Sequence, residues 1–239
     1  PGWGWARKAI ASLFSAGFQL NTAPHNLRER AWAIVAELTR DPDPAAGEEG
    51  EAHEPATRAI NTVRGEAMHA VVQYALWVRR SVEALPDGRA KIERGFQEMP
   101  EVEAVLRERL EDPSLAIRSV YGQYLPWLVL IDPAWTKAHV QTIFPTADAN
   151  RLLWEAAWGP YVVFCSPYNN VFESLRGQYL VAAARLGAPF SAKPGTGDPH
   201  DSLAEHLMTF YWRGWLRAND DIWKTFWANA SPAVRRHAL

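Results

Sequence analysis

One cysteine, Cys165, is all that the 239 residues contain, which excludes an intramolecular disulfide framework and any zinc site built from several thiolates. A chain without such staples suits a cytoplasmic protein, and that location is the expectation. Charge of one sign is also missing. With 25 basic and 27 acidic residues the net charge is −2, so there is no overall electrostatic footprint for nucleic acid or for an anionic membrane. Long apolar runs are absent too: the longest, Tyr124 to Ile131, falls far short of the roughly 20 residues needed to span a bilayer. No glycine-rich loop ending in Gly-Lys-Ser/Thr is present, which excludes a phosphate-binding NTPase core within this segment. The chain opens Pro1-Gly-Trp-Gly-Trp, with neither an initiator methionine nor a signal-like apolar region, and closes at Ala238-Leu239 inside what reads as a new helix. The expectation is a fragment of a larger protein, with a processed mature chain as the alternative.

What is present is aromatic. Twelve tryptophans stand out against an ordinary 48% hydrophobic and 22% charged composition, and each can bury roughly 150–250 Å², a gross gain of about 4–6 kcal/mol. Most should fill the space between helices, while Trp3 and Trp5 lie near the end of the chain and are candidates for exposure. Apolar residues recur at three and four along nearly the whole sequence, and no convincing strand pattern interrupts them. The organisation expected is one helical-repeat domain over 1–239, broken by a flexible acidic loop at 41–54 and a flexible Gly- and Pro-rich loop at 191–198.

The stretch Asp112 to Asp132 is the clearest element. Asp112 is placed to cap a helix with Pro113 at its first position. Ile117, Val120, Tyr121, Tyr124 and Leu128 then form one apolar stripe, with Arg118 and Gln123 off it. Packing on one side only is expected. Pro126 should kink or restart this helix, and Gly159-Pro160 should interrupt the one that carries Leu153, Trp154, Ala157, Trp158 and Tyr161. A long helix is expected from Pro55 to about Leu85. Asn26, Ser166, Asp201 and Asp220 are the other candidate caps.

A weak internal repetition links these helices: an apolar residue, an arginine, then a small residue. It occurs at Val63-Arg64-Gly65, Ile117-Arg118-Ser119, Leu175-Arg176-Gly177 and Trp212-Arg213-Gly214, and in shorter form at Val234-Arg235. The segments Asp112-Pro113-Ser-Leu-Ala-Ile117-Arg118 and Ser231-Pro232-Ala-Val234-Arg235 resemble the second-helix signature of HEAT-type repeats. That resemblance implies an all-α fold, an irregular α-solenoid of antiparallel helix pairs with a partner-binding surface. The Trp-rich helices, with Ala59-Ile-Asn-Thr-Val-Arg-Gly-Glu-Ala67, also look like the helical C-terminal regions of large bacterial signalling NTPases used in antiviral defence.

No catalytic motif is found, and no catalytic residue is assigned. His200, Glu205 and His206 lack the spacing of a metalloprotease helix, so no metal ligand and no cofactor is assigned. Asn219-Asp220-Asp221 reads as a cap with a first-turn acid rather than a cation site. Cys165, after Val162-Val-Phe, reads as a buried small hydrophobe rather than a nucleophile. The function expected is a non-catalytic recognition scaffold for a protein partner or for other domains of the same chain. Its contacts would be Arg64, Arg118, Arg176 and Arg213, although arginines paired within the fold are the commoner case. The competing expectation is an enzyme or ligand-binding domain with a pocket between kinked helices, lined by Tyr121, Trp127, Glu155 and Tyr161. Nucleic acid on an arginine-lined face is a third, less favoured expectation.

Overall fold

A computed structural model describes residues 2–45, 54–192 and 197–238. Among these the chain is all-helical, with fourteen α-helices, three short 3-10 helices and no strand. The helices are α1 (Gly4–Gln19), α2 (Arg28–Leu38), α3 (Pro55–Asn61), α4 (Val63–Glu83), α5 (Gly88–Ile92), α6 (Pro100–Leu110) and α7 (Leu115–Gln123). They continue as α8 (Leu125–Ile131), α9 (Pro133–Ile143), α10 (Arg151–Phe164), α11 (Asn169–Ala184), α12 (Pro199–Trp212), α13 (Asp221–Asn229) and α14 (Pro232–His237). None is long and apolar enough to cross a membrane.

Contacts run from helix to helix along the chain. α1 packs on α4, α4 on α7, α7 on α10, α10 on α12 and α12 on α14, while α8 and α9 pack on α11, and α11 on α13. One hydrophobic cluster runs from Phe18 to Ala238, with a smaller one of Ala11, Leu38, Val63 and Ala67. Aromatic rings fill it: Trp77 lies among Phe18, Tyr74 and His25, and Trp154 stacks on Trp158 at 5.4 Å.

The α7–α10 crossing depends on Gly122, where a Cβ would overlap the Ala157 backbone carbonyl. Only glycine permits so close a backbone approach. α7 is therefore enclosed on nearly every side, with Ala116 through Gly122 all buried. The one-sided packing expected for it is wrong, because a short helix wedged between α3, α4 and α10 has no solvent face to offer.

Several helix starts differ from the sequence expectation. α7 begins at Leu115, and its cap is Ser114, whose Oγ accepts from the Ile117 N–H. Asp112 instead accepts from the Ser114 N–H at 3.0 Å. α12 is capped by Asp198 rather than Asp201, and α11 begins at Asn169 with no side-chain cap, so Ser166 plays no such part. Asn26 falls within a 3-10 turn ahead of α2. Asp220 does cap α13. The helix restarts at Pro126, which sits in the first turn of α8, whereas α10 runs on through Pro160.

The long helix from Pro55 is two helices. Thr62 is extended, at φ −117° and ψ 156°, and its hydroxyl donates to the Arg58 carbonyl. Asp43 then closes the start of α4: its Oδ2 accepts from the Val63 N–H at 2.9 Å and its carbonyl from the Arg64 N–H at 2.8 Å. Asp41 is buried against Arg7. These two acids belong to the loop expected to be flexible, and at this end that expectation is wrong, because both are tied to α1 and α4. Residues 46–53 of that loop and 193–196 of the second lie outside the described residues.

Candidate recognition groove

Large apolar side chains are left in solvent in several places. On α1 and just past its end, Trp5, Leu13 and Leu20 are 70% exposed or more, and Tyr211, Trp212 and Trp215 are exposed at and just after the end of α12. Another such place is a trough lined by the end of α10 and by α8. Trp127 and Leu130 of α8, Phe164 at the end of α10 and Tyr168 ahead of α11 are each about half exposed there. The trough has two depressions sharing Gln123, Trp127 and Phe164 as walls, one of about 340 Å³ and one of about 390 Å³. The first continues over Pro126, Tyr168 and Asn170, and the second over Gln19, Gln73 and Arg80.

No carboxylate among the described residues lines either depression. Arg80, the only cation among the described lining residues, is exposed and donates to the Phe18 carbonyl at the end of α1. Beside rings and neutral amides, the walls carry the Cys165 thiol, the Ser166 hydroxyl and the exposed Arg80 guanidinium.

The floor is tied to the core by an oriented chain of hydrogen bonds. His206 Nε2 lies 2.9 Å from the Cys165 carbonyl, which can only accept, so Nε2 carries the proton and Nδ1 accepts from Tyr179 Oη at 2.8 Å. Tyr179 in turn accepts from Tyr161 Oη at 2.8 Å. Burial holds the His206 imidazole neutral, with its pKa lowered to about 4, and raises both phenols. On the other side, Tyr124 Oη meets His69 Nδ1 and Gln73 Nε2, and burial lowers the His69 pKa to about 4. Cys165 has its thiol pushed up to about 12 by burial and directed at the Gln123 carbonyl, 3.2 Å away. It is a packing residue in this state.

The four arginines singled out by sequence are not brought together. Arg118 is 5% exposed, and its guanidinium donates to the carbonyls of Leu110, the last residue of α6, and of Thr142, in the last turn of α9. Arg64 donates to the carbonyls of Asp41 and Pro44 and lies 3.1 Å from Asp112. Arg176 is half exposed, pairs with Asp220 and lies over the Phe172 ring. Arg213 is exposed and donates to the Pro167 carbonyl.

Of the residues expected to line a pocket, Trp127 borders the trough. Tyr121 is buried and donates to the Leu106 carbonyl at 2.6 Å, and Tyr161 is the buried start of the chain above. Glu155 is buried elsewhere, accepting from Arg151 and from the N–H groups of Ser191 and Ala192, beside a cavity of about 10 Å³. Phe164, Tyr168 and the amides were missed, because an apolar residue at a helix end followed by Cys-Ser-Pro reads as core leading into a cap.

No group of three or more metal-ligating side chains gathers among the described residues. His206 is spent on Tyr179 and Cys165, and His200 packs against Phe190. Comparison with protein-family models, with curated proteins and with solved structures returns no match for this chain.

Proposed function

We propose that this chain is a non-catalytic recognition scaffold for a protein partner, built as an irregular HEAT-like α-solenoid and acting as a sensor or regulatory segment of a larger bacterial protein. The observation that carries the role is the trough at Trp127 and Phe164, where half-exposed rings meet neutral amides and the Cys165 thiol, which lines it, is turned to the Gln123 carbonyl and held protonated by burial. The groups with the largest pKa shifts are buried and committed to internal bonds, as a structural core requires.

Support for the repeat comes from two matching helix starts. Ser114 accepts from Ile117 N–H and Ser231 from Val234 N–H; Arg118 then reaches the carbonyl eight residues before it, Leu110, and Arg235 the carbonyl eight residues before it, Trp227. Both carbonyls lie in the last turn of the preceding helix, where acceptors lack intrahelical donors. The repeated unit is Ser-x-x-Ile/Val-Arg, with Ser114 matching Ser231.

The test is site-specific photo-cross-linking from position 130 in cells of the source organism, followed by identification of the adducts. One reproducible polypeptide adduct, lost when the cross-linker is moved to position 107, is expected. Adducts of small metabolites alone, together with a thermal shift of the pure chain on adding them, would replace the scaffold with a ligand-binding domain.

A further inference from the structure

Among the described residues α1 is the outermost layer in the series of contacts that runs through α4, α7, α10 and α12 to α14. A helical layer left in water normally turns polar residues outward. α1 does the reverse. Its inner side buries Ala11 and Phe18, while Trp5, Ala9, Leu13, Ala16 and Leu20 are all exposed. At 3.6 residues per turn these five lie within an arc of about 80°, opposite the buried side. No charged side chain falls in that arc: Arg7 is turned to Asp41, and Lys8 lies near Glu66.

Large and small residues alternate along the stripe, and the two alanines and the two leucines each recur after seven residues. That is the spacing at which one helix follows another along its length, and alanine lets the two backbones come close. The pattern also reads the same from either end. Turned end for end about a point beside Leu13, it sets Trp5 against Leu20, Ala9 against Ala16 and Leu13 against itself. A twofold interface has this property, each residue meeting in the partner the residue that meets it in return. Charge selects the same direction. In a parallel pair Arg7 and Lys8 of the two copies would lie side by side. In an antiparallel pair Lys8 comes opposite residue 17 of the other copy, roughly 13 Å along the axis from its counterpart, and the helix dipoles run in opposite senses.

From this we infer that the chain self-associates through α1, a second copy covering the stripe as an antiparallel, twofold-related helix. The stripe and Ile10 beside it expose roughly 600 Å² of apolar surface on each copy, so the pair can bury about 1,200 Å², the low end of specific interfaces. A dissociation constant on the order of tens of micromolar is expected, which leaves the face open to water at low micromolar concentration. The inference needs no ligand in the trough and stands whether or not the recognition role holds.

The experiment is sedimentation velocity of the chain from low to high micromolar concentration, followed by disulfide mapping with single cysteines. A monomer that becomes a dimer as concentration rises is expected. Leu13→Glu should weaken the association about tenfold or more and leave the melting temperature of the monomer unchanged, since this side chain is 70% exposed. Ala16→Gln, which fills a small position, should weaken it as well, whereas Trp212→Ala, exposed at the end of α12, should not. On mild oxidation Leu13→Cys should link to itself, because position 13 lies beside the twofold axis. Trp5→Cys and Leu20→Cys should each fail to self-link and should link to one another when mixed. The native chain is the blank, its one thiol being turned to the Gln123 carbonyl. A monomer at every concentration, a dimer indifferent to Leu13→Glu, or self-linking at position 5 or 20 would each overturn the inference. So would a chain that stays monomeric and instead floats with vesicles of neutral and anionic phospholipid in a manner lost with Leu13→Glu, which would give the face to a membrane surface.

Discussion

At Arg118 a charge sits where the helical period places a solvent-facing residue. Burial alone would penalise the guanidinium, and its pKa is indeed lowered by desolvation. Its bonds to the Leu110 and Thr142 carbonyls offset that cost by pairing acceptors that two helices leave open. Arg118→Met should therefore destabilise the chain by about 3 kcal/mol in chemical denaturation, with Arg118→Lys recovering only part, since one ammonium does not replace a forked donor. The histidines make a second expectation. His69 and His206 have folded pKa values lowered to about 4, against roughly 6.5 when unfolded. The unfolded chain then binds more protons between these values, so stability is complete above about pH 6.5 and falls as pH drops towards 4, by up to about 3 kcal/mol for each histidine. A denaturation series across that range checks it, and His206→Gln should remove its share of the slope. The arginine repeat was legible in the sequence, but its destinations were not, because the accepting carbonyls belong to other helices.

The helices themselves were legible, and so were some starts, such as Asp220 ahead of α13 and Pro133 at α9, while others were not. Periodicity marks where an apolar face recurs, whereas a start depends on which side chain reaches the free N–H groups. Asp112-Pro113 and Ser166-Pro167 look like starts, yet Ser114 and a bare Asn169 occupy those places. The break at Thr62 was invisible for a related reason: the group that closes α4 is Asp43, twenty residues away. Asp43→Ala should cost about 1 kcal/mol and raise amide hydrogen exchange in the first turn of α4 while leaving α10 unchanged. Ser114→Ala and Ser231→Ala should each cost about as much, because the two serines accept from equivalent N–H groups.

For the whole molecule, the all-helical class followed from the unbroken period of three and four, and the aromatic core from the tryptophan count. The trough did not, because it is formed by residues from α1, α4, α7, α8, α10 and α11 that meet only once the chain is folded. Five tryptophans are exposed, Trp3, Trp5, Trp127, Trp212 and Trp215, and burial cannot be the reason they are there. Replacing Trp5 and Leu13 by serine should leave the melting temperature within a degree or two and reduce binding of a hydrophobic dye, since both side chains already face water. Gly122→Ala should do the reverse, lowering the melting temperature sharply, because the added methyl meets backbone that no rotamer change can move.

That contact between Gly122 and Ala157 also limits how the sequence can drift. Surface positions on α1 can change one at a time without disturbing the packing of α7 on α10. Position 122 cannot gain even a methyl group unless the two helices move apart first. Descendants that keep this crossing must therefore inherit the glycine, and those that lose it must have repacked α10, and with it the Phe164 wall of the trough.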